Sequence, residues 1–202
     1  MTDNYYNLDI KEMPDFISGQ PKKILEAGCG SGNFGAALKA KFNAEVTGIE
    51  LFESAAKETL KKPDKVICGN LEEKVYNTEN NYYDLIVFND VLEHLYDPWS
   101  ILKKAAAKLA NGGRVVASIP NIRHLYTMFD IVIKKDFKYT DAGILDKTHL
   151  RFFTKKSIIR MFDECGYKII KVQGINGMKS LKFKILNILS FGFLKETSYL
   201  QF

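Results

Sequence analysis

Cysteine is scarce in this sequence, and its spacing excludes two kinds of protein. The 202 residues contain three cysteines, Cys29, Cys68 and Cys165, which are widely separated and form no Cys-x-x-Cys pair. A disulfide framework and a thiolate zinc site both need cysteines in paired or closely spaced sets. The sequence therefore favours a chain that folds around an apolar core in a reducing cytoplasm.

Export signals and long apolar runs are also missing. The first residues, Met1–Phe16, contain no basic region followed by an apolar core, so they do not have the pattern of an export signal. No apolar run approaches the roughly 20 residues that cross a bilayer. The net charge of +5 comes mainly from scattered lysines, which is typical of a solubilising surface. These features predict a cytoplasmic protein, with a membrane-associated tail as the one alternative.

Short apolar runs alternate with helical patterns along much of the chain. The helical patterns include a buried stripe at Phe34, Leu38 and Phe42, and a helix at Ile101–Leu109 that ends at Asn111-Gly112-Gly113. A later helix is predicted from an N-cap at Thr154 to Gly166. The predicted strands are Lys23–Ala27, Glu45–Ile49, Lys65–Cys68, Asp84–Phe88 and Arg114–Ile119.

Such alternation predicts an α/β fold of the Rossmann-like, doubly wound type. Its sheet would be mainly parallel, with helices on both faces. Ligands of these sheets bind beyond the carboxyl ends of the strands. The loops that follow each strand are therefore the places to look for chemistry.

A glycine-rich turn follows the first predicted strand and opens the first helix. From Glu26 to Gly35 it reads EAGCGSGNFG, and glycines let the backbone turn sharply and let a ligand approach without meeting a Cβ. Its second half also fits the Gly-x-Gly-x-x-Gly pattern of dinucleotide sites, and Glu50 ends the second strand where it can bind ribose hydroxyls. Glu26 favours a different ligand, because a carboxylate there would repel a pyrophosphate but attract an ammonium group.

Five segments in order resemble the motifs of class I S-adenosylmethionine-dependent methyltransferases. The resemblance spans roughly residues 22–173 and implies S-adenosylmethionine as cofactor and S-adenosylhomocysteine as product. A nicotinamide-dependent oxidoreductase and a non-catalytic donor-binding module are the alternatives. The matching segments are Glu26–Gly35, Thr47–Glu50, Cys68–Leu71, Tyr83–His94 and Leu109–Pro120.

The resemblance also implies which residues bind the cofactor. Glu50 would bind the ribose diol, and Asn89 would lie beside the methionine part. Asn70 stands where these enzymes usually have an aspartate that accepts a hydrogen bond from the adenine amino group, so the charge assistance is missing. The predicted cofactor-binding residues are Glu26, Gly28, Gly30, Gly32, Glu50, Leu51, Asn70, Leu71 and Asn89.

A narrower resemblance concerns the acceptor. Pro120–His124 and Gly143–Thr154 resemble methyltransferases of bacterial surface-polysaccharide and sugar-modification gene sets, and Thr148-His149 is also similar to ubiquinone-pathway O-methyltransferases. The implied acceptor is a hydroxyl of a sugar or another small molecule, free or carried on a lipid. Nucleic acid is not expected, since there is no Asp/Asn-Pro-Pro-Tyr element and no basic aromatic stripe.

Histidines are the candidate bases for deprotonating a hydroxyl. His149 is the predicted catalytic residue, because it lies in an insert, 121–153, expected over the carboxyl edge of the sheet. The alternative is a loop histidine that anchors the insert through hydrogen bonds. His124 is a weaker candidate for the base, and His94 is expected to support the loop around the methyl donor.

Asp90-Val-Leu-Glu93-His94 is the one candidate metal motif. Carboxylates and an imidazole at this spacing, with a remote histidine, can bind a divalent cation. Some ubiquinone-pathway and small-RNA methyltransferases use a related Glu-x-x-Glu-His arrangement. The prediction for this chain is nonetheless that no metal is bound.

The chain is predicted to form a single domain, 1–202, with a basic apolar tail at 176–202. Met178–Leu194 mixes lysines with Leu, Ile and Phe, which predicts either a lid or core helix over the acceptor site or an amphipathic helix on an anionic membrane. Tyr167–Gln173 is a predicted strand. Ser198–Phe202 would begin a last antiparallel strand beside it, either short or cut off by the end of the sequence.

Overall fold

The computed structural model describes residues 10–53, 55 and 62–202. The chain forms two compact units. The first comprises Met1–Val91 and Asp97–Ala117, and the second comprises Leu92–Tyr96 and Ser118–Phe202. The predicted insert and tail both fall within the second unit.

A five-stranded sheet organises the first unit, with strand order β3-β2-β1-β4-β5. The pairs β1–β2, β1–β4 and β2–β3 are parallel. The strand order reverses beside β1, and in open α/β sheets this switch point is where ligands bind. The predicted Rossmann-like fold class is confirmed. The strands are β1 Lys23–Ala27, β2 Glu45–Glu50, β3 Lys65–Cys68, β4 Tyr83–Asn89 and β5 Leu109–Ser118.

Helices alternate with the strands in the first unit and continue through the second. The α-helices with complete bounds in the described residues are α1 Asn33–Phe42, α2 Leu71–Lys74, α3 Pro98–Lys108, α4 Leu125–Val132, α5 Lys155–Glu164 and α6 Leu181–Leu189. Short 3₁₀ turns lie at Ile10–Phe16, Val75–Asn77, Leu92–His94 and Lys195–Ser198.

The predicted stripe of α1 forms one side of the core of the first unit. Phe34, Leu38 and Phe42 are buried on the same face, four residues apart. They pack in one cluster with Ile24 of β1 and Val46 of β2, among others. Each fully buried apolar side chain stabilises the fold by about 1.5–3 kcal/mol, so this stripe holds the glycine-rich turn between β1 and α1 in place.

The start of β5 corrects one prediction. The helix before it ends at Lys108 and the strand begins at Leu109, five residues earlier than predicted, so Asn111-Gly112-Gly113 belongs to the strand and does not end the helix. Gly112 has φ +77°, a conformation that favours glycine inside a strand. A Cβ at Gly113 would lie 2.8 Å from the carbonyl oxygen of Tyr83 on β4. Gly113 is thus needed for close strand pairing, and Gly112 for its backbone conformation.

The predicted boundaries of α5 are confirmed in the second unit. Thr154 is the N-cap, and its hydroxyl accepts a hydrogen bond from the backbone N–H of Ser157 at 3.2 Å. The hydroxyl of Ser157 in turn accepts from the N–H of Thr154 at 2.8 Å, which completes a capping box. Gly166 follows the helix with φ +83°, as expected of a residue that ends a helix.

The strand predicted at Tyr167–Gln173 is wrong: the structure assigns no strand to those residues. The end of the chain does pair in the antiparallel sense, but with other partners. Gln201 forms isolated bridges to Pro120 and Ile175, and Phe202 exchanges backbone hydrogen bonds of 2.8 and 3.0 Å with Ile119. An alternating apolar pattern describes a strand only where a partner of matching length is available, and here the pairing is limited to single bridges.

Candidate functional site

The glycine-rich turn is fixed to the end of β2 by its backbone. The N–H groups of Gly28 and Cys29 donate to the carbonyl oxygen of Ile49 at 2.8 and 3.1 Å. Gly28 has φ +68°, and a Cβ there would lie 2.6 Å from a methyl group of Val91. An L side chain would therefore be strained both by its backbone and by its neighbour. The predicted need for glycine at this position follows from that geometry.

Two residues outside the predicted cofactor-binding set also shape this turn. The ammonium group of Lys62 donates to the carbonyl oxygen of Ser31 at 2.8 Å and to the side-chain oxygen of Asn33 at 2.7 Å. Gly48 on β2 leaves room for the Cys29 thiol, because a Cβ would collide with its sulfur. The Cys29 side chain is buried, as expected of a packing residue. No sequence motif marks Lys62, because it acts from across the turn, whereas Gly48 lies within the matching segment Thr47–Glu50.

Glu50 lies at the end of β2 with its carboxylate buried against the turn. One oxygen accepts from the N–H of Gly30 at 2.7 Å, and the other accepts from the N–H of Phe52 at 3.0 Å. These bonds orient the side chain. Because a carboxylate has about four lone-pair sites, two acceptor sites remain for a ligand. The next residue, Leu51, is 56% exposed and provides apolar surface beside them.

Glu26 is a second buried carboxyl group, at the end of β1. Desolvation raises its pKa to about 8, and the nearby charge of Glu50 contributes in the same direction. A hydrogen bond from the backbone N–H of Gly35 acts in the opposite direction. Among the described residues, its Oε2 atom has no hydrogen-bond partner. An unsatisfied buried acceptor costs about 1–3 kcal/mol, so a bound hydrogen-bond donor or cation would be stabilised here.

Asn70 follows β3 and serves first as a helix cap. Its side-chain oxygen accepts from the N–H of Glu72 at 2.9 Å and so begins α2. The oxygen keeps a second lone pair for the predicted bond to an adenine amino group. Of the two predicted apolar neighbours, Leu71 is buried and Leu51 is exposed. Leu71 therefore contributes packing, and Leu51 contributes accessible surface.

Asn89 completes this set as the last residue of β4, and its side chain is half-buried. The backbone of the next residue, Asp90, is left-handed at φ +51°, which aspartate tolerates better than most residues. All nine predicted cofactor-binding residues thus lie in the first unit, at or just beyond the carboxyl ends of β1 to β4. The binding roles of the individual residues remain predictions.

A second group of polar residues, two buried and one half-buried, lies in the second unit. Glu93, His94 and His149 each offer a ligand atom, and these atoms lie within 4.8 Å of one another. The His149 Nε2 atom is 3.9 Å from the Glu93 Oε1 atom, with side-chain exposures of 3% and 1%. The two imidazole rings meet edge to face with centroids 4.6 Å apart.

The hydrogen bonds of the histidines set their tautomers. His149 Nδ1 lies 3.0 Å from the carbonyl oxygen of Ile144, and only a protonated nitrogen can donate to it. In the neutral ring the lone pair is then on Nε2, on the side of Glu93. Burial lowers the pKa of His149 and of His94, so both rings are uncharged at neutral pH.

An aspartate-based turn positions His149. The Asp146 carboxylate is buried and accepts from the N–H and the hydroxyl of Thr148 at 2.7 and 2.6 Å. The carbonyl oxygen of Glu93 accepts from the N–H groups of Leu150 and Arg151 at 2.9 and 3.0 Å. His149 thus anchors the loop through its Nδ1 atom, which is one of the two alternatives considered from the sequence, and its catalytic role stays a prediction.

The other two histidines that the sequence singled out also lie in the second unit. His124 is buried at the start of α4, where its carbonyl oxygen accepts from the N–H of Met128 at 2.9 Å. His94 contacts Thr148, with Nδ1 3.2 Å from both the carbonyl and the hydroxyl oxygen. Of the predicted metal motif, Glu93 and His94 join the cluster and His149 is the remote histidine, whereas Asp90 belongs to the first unit.

Comparison with known proteins gives the family. A family model described as "Methyltransferase domain" matches residues 4–172. The chain is 31% identical over 163 residues to the ubiquinone biosynthesis O-methyltransferase of Vibrio vulnificus (strain YJ016), covering 78% of this chain and 67% of the relative. It is 26% identical over 174 residues to the protein of that name from Coxiella burnetii (strain RSA 331), covering 83% and 72%.

Solved structures agree on the fold. A S-adenosylmethionine-dependent methyltransferase from Archaeoglobus fulgidus superposes with a TM-score of 0.67 at 18% identity, covering 95% of this chain and 87% of that one. Another from Mesorhizobium loti has a TM-score of 0.64 at 15% identity, covering 96% and 94%. At these identities the likeness concerns the fold alone.

The chain belongs to the methyltransferase domain family and has the class I fold of S-adenosylmethionine-dependent methyltransferases. The predicted enzyme class is confirmed. This assignment selects the methyl-donor interpretation of the glycine-rich turn over the nicotinamide alternative.

Proposed function

We propose that the chain transfers the methyl group of S-adenosylmethionine to a hydroxyl oxygen of a small acceptor, with His149 as the base. The observation that carries the proposal is the pair of buried carboxyl groups, Glu26 and Glu50, at the glycine-rich turn of a methyltransferase fold. A dinucleotide pyrophosphate would meet two acidic groups there, whereas a donor with an ammonium group and a ribose diol matches both.

Several predicted cofactor-binding residues each suit one part of S-adenosylmethionine. The unsatisfied oxygen of Glu26 suits the α-ammonium group, and the free acceptor sites of Glu50 suit the two ribose hydroxyls. Asn70 retains an acceptor for the adenine amino group. Leu51 offers an exposed apolar side chain for the adenine ring. When bound, the cofactor supplies a methyl group already activated on a sulfonium sulfur, so that the protein contributes mainly positioning.

His149 suits the role of base for a hydroxyl acceptor. Its Nδ1–H is donated to Ile144, which leaves the Nε2 lone pair to accept the hydroxyl proton as the oxygen attacks the methyl carbon. Glu93 would stabilise the resulting imidazolium from 3.9 Å. Because burial lowers the pKa of His149, the base stays deprotonated below the usual imidazole range.

Oxygen is the favoured acceptor atom, and two acceptor classes are candidates. The Vibrio and Coxiella relatives are named as O-methyltransferases of ubiquinone biosynthesis, which supports a hydroxyl of such an intermediate. The segments Pro120–His124 and Gly143–Thr154 support instead a sugar hydroxyl, by their resemblance to enzymes of polysaccharide modification. We favour the sugar or another small hydroxyl compound, and the ubiquinone intermediate is the second candidate.

The test separates donor binding from turnover. Calorimetry with S-adenosylhomocysteine should show that Glu50→Ala weakens binding about 10- to 150-fold, as expected from the loss of charge-assisted hydrogen bonds. S-adenosylhomocysteine production should then be measured with nucleotide sugars and with hydroxylated ubiquinone intermediates. With the productive acceptor, His149→Ala should lower kcat by about 10²–10⁴ and leave donor affinity unchanged.

His124→Ala is the matched control, because His124 is also a buried histidine of the second unit but lies outside the cluster with Glu93. It should keep most of the turnover. A chain that binds the donor but methylates no acceptor and is indifferent to His149→Ala would instead be a non-catalytic module. Tight binding of NAD(H) without binding of S-adenosylhomocysteine would contradict the donor assignment itself.

A further inference from the structure

The last α-helix of the second unit carries its large apolar side chains on the outside. Of its nine residues, Phe183 alone is buried. Leu181, Ile188 and Leu189 are more than 70% exposed, and Ile185 is 51% exposed. At 3.6 residues per turn these four side chains share one face, opposite Phe183. The helix is therefore held by one aromatic ring and presents an apolar stripe outward.

A tight turn after the helix adds two aromatic rings. Phe191 is fully exposed and Phe193 is 74% exposed. The turn is closed by hydrogen bonds from Gly192 N–H to the Asn187 carbonyl oxygen at 2.8 Å and from Phe193 N–H to Ser190 at 3.0 Å. Exposed apolar residues that occur singly are common, but a contiguous patch of this kind marks an interaction site.

The charges around this patch have one sign. Between Gly174 and Lys195 the sequence has four lysines and no acidic residue, and all four lysines are exposed. On the helix, Lys182 and Lys184 flank the apolar stripe on its two sides. The next acidic residue, Glu196, is paired with Lys155 at 2.9 Å, so its charge is balanced from elsewhere.

We propose that the apolar face of α6 and the turn after it, together called the tail face (Leu181, Ile185, Ile188, Leu189, Phe191 and Phe193), dock on an anionic lipid bilayer. Apolar side chains flanked by lysines are suited to the boundary between acyl chains and acidic headgroups, where lysine stems lie along apolar surface with the charge in water. The helix would lie in the plane of the surface. In the described part of the chain, no helix is long and apolar enough to cross a membrane.

The positive charge around the tail face favours an anionic bilayer over a second copy of the chain as its partner. A symmetric dimer through the tail face would place the lysines of both copies together without intervening acids, and like charges brought together at an interface oppose association. Anionic lipids supply the opposite charge, at about 1 kcal/mol for each lysine near the surface. The inference is independent of the acceptor, although docking would bring the enzyme to an acceptor carried on a lipid.

The test is co-sedimentation of the full chain with vesicles. Binding should be strong to phosphatidylcholine vesicles that contain phosphatidylglycerol, at least tenfold weaker to pure phosphatidylcholine, and reduced by salt. Phe191→Ser with Phe193→Ser should weaken binding to the anionic vesicles about tenfold or more. Lys182→Glu with Lys184→Glu should do the same. An unchanged circular dichroism spectrum and thermal unfolding midpoint would show that these variants are folded.

Two substitutions serve as matched controls. Ile170→Ser removes an apolar side chain that is 78% exposed elsewhere in the unit, and Lys103→Glu reverses an exposed charge in the other unit. Each should leave vesicle binding within about twofold of the unmodified chain. Absence of binding to anionic vesicles at low salt, or equal losses in controls and tail variants, would overturn the proposal. A dimer that the two phenylalanine substitutions dissociate would assign the surface to a second copy instead.

Discussion

Glu26→Gln should change how the stability of the protein depends on pH. Glu26 is fully buried, and its pKa is raised from 4.5 to about 8. Between these values the folded state holds a proton that the unfolded state has released, so the free energy of unfolding falls as pH rises through this window. The slope from this group is about 1.4 kcal/mol per pH unit, which gives at most about 5 kcal/mol across the window. Glutamine has nearly the same shape and no ionisation.

Urea unfolding of the ligand-free chain at several pH values measures this effect. Below pH 4.5 the protonated carboxyl and the amide should give similar stability. Toward pH 8 the Glu26→Gln variant should become more stable than the unmodified protein by several kcal/mol. Glu79→Gln is the control, because Glu79 is an exposed carboxylate of the same unit. It should leave the pH dependence unchanged.

The same carboxyl group links proton uptake to donor binding. If the α-ammonium group of the donor pairs with Glu26, binding at pH 7 lowers the pKa of Glu26 and releases up to one proton. Calorimetry in buffers with different ionisation enthalpies counts that proton. The reasoning is refuted if the two proteins have parallel stability profiles, or if the unmodified protein and the Glu26→Gln variant release the same number of protons with S-adenosylhomocysteine.

Two further predictions concern the donor site and the histidine cluster. Asn70→Asp should tighten S-adenosylhomocysteine binding about threefold or more, because aspartate keeps the N-cap of α2 and adds charge assistance to the bond with the adenine amino group; unchanged or weaker affinity by calorimetry would contradict the role of Asn70. Removal of divalent cations with EDTA should leave turnover unchanged; loss of activity that Mg²⁺ or Mn²⁺ restores would show instead that Glu93, His94 and His149 bind a metal.

Local patterns were enough to predict most of the sheet and to place the candidate cofactor-binding residues at the carboxyl ends of its strands. The strands at Lys23–Ala27 and Lys65–Cys68 have the predicted bounds, because short apolar runs between turn residues can be buried only as strands in this fold. Parallel strands bring their carboxyl ends to one edge. Glu26 and Glu50 could therefore be placed near each other from the sequence, although they are 24 positions apart.

Features that depend on a distant partner could not be predicted. The pairing of Gln201 with Pro120 and Ile175 replaces the strand expected at Tyr167–Gln173. The sequence marks Glu93 as a candidate metal ligand, but not its position 3.9 Å from His149. That position depends on the carbonyl oxygen of Glu93, which accepts hydrogen bonds from the N–H groups of Leu150 and Arg151. Such contacts join residues that are distant in the sequence, and no local signal in one sequence records them.

Burial shifts the pKa values of the ionisable groups of the two sites in opposite directions, and in both cases it favours the uncharged form. Loss of solvent disfavours charge, so it raises the pKa of Glu26 and lowers that of His149. Both groups are then mainly uncharged at pH 7 in the ligand-free protein. Under the proposed function, each becomes charged only when its partner arrives: Glu26 on binding an ammonium group, and His149 on accepting the hydroxyl proton.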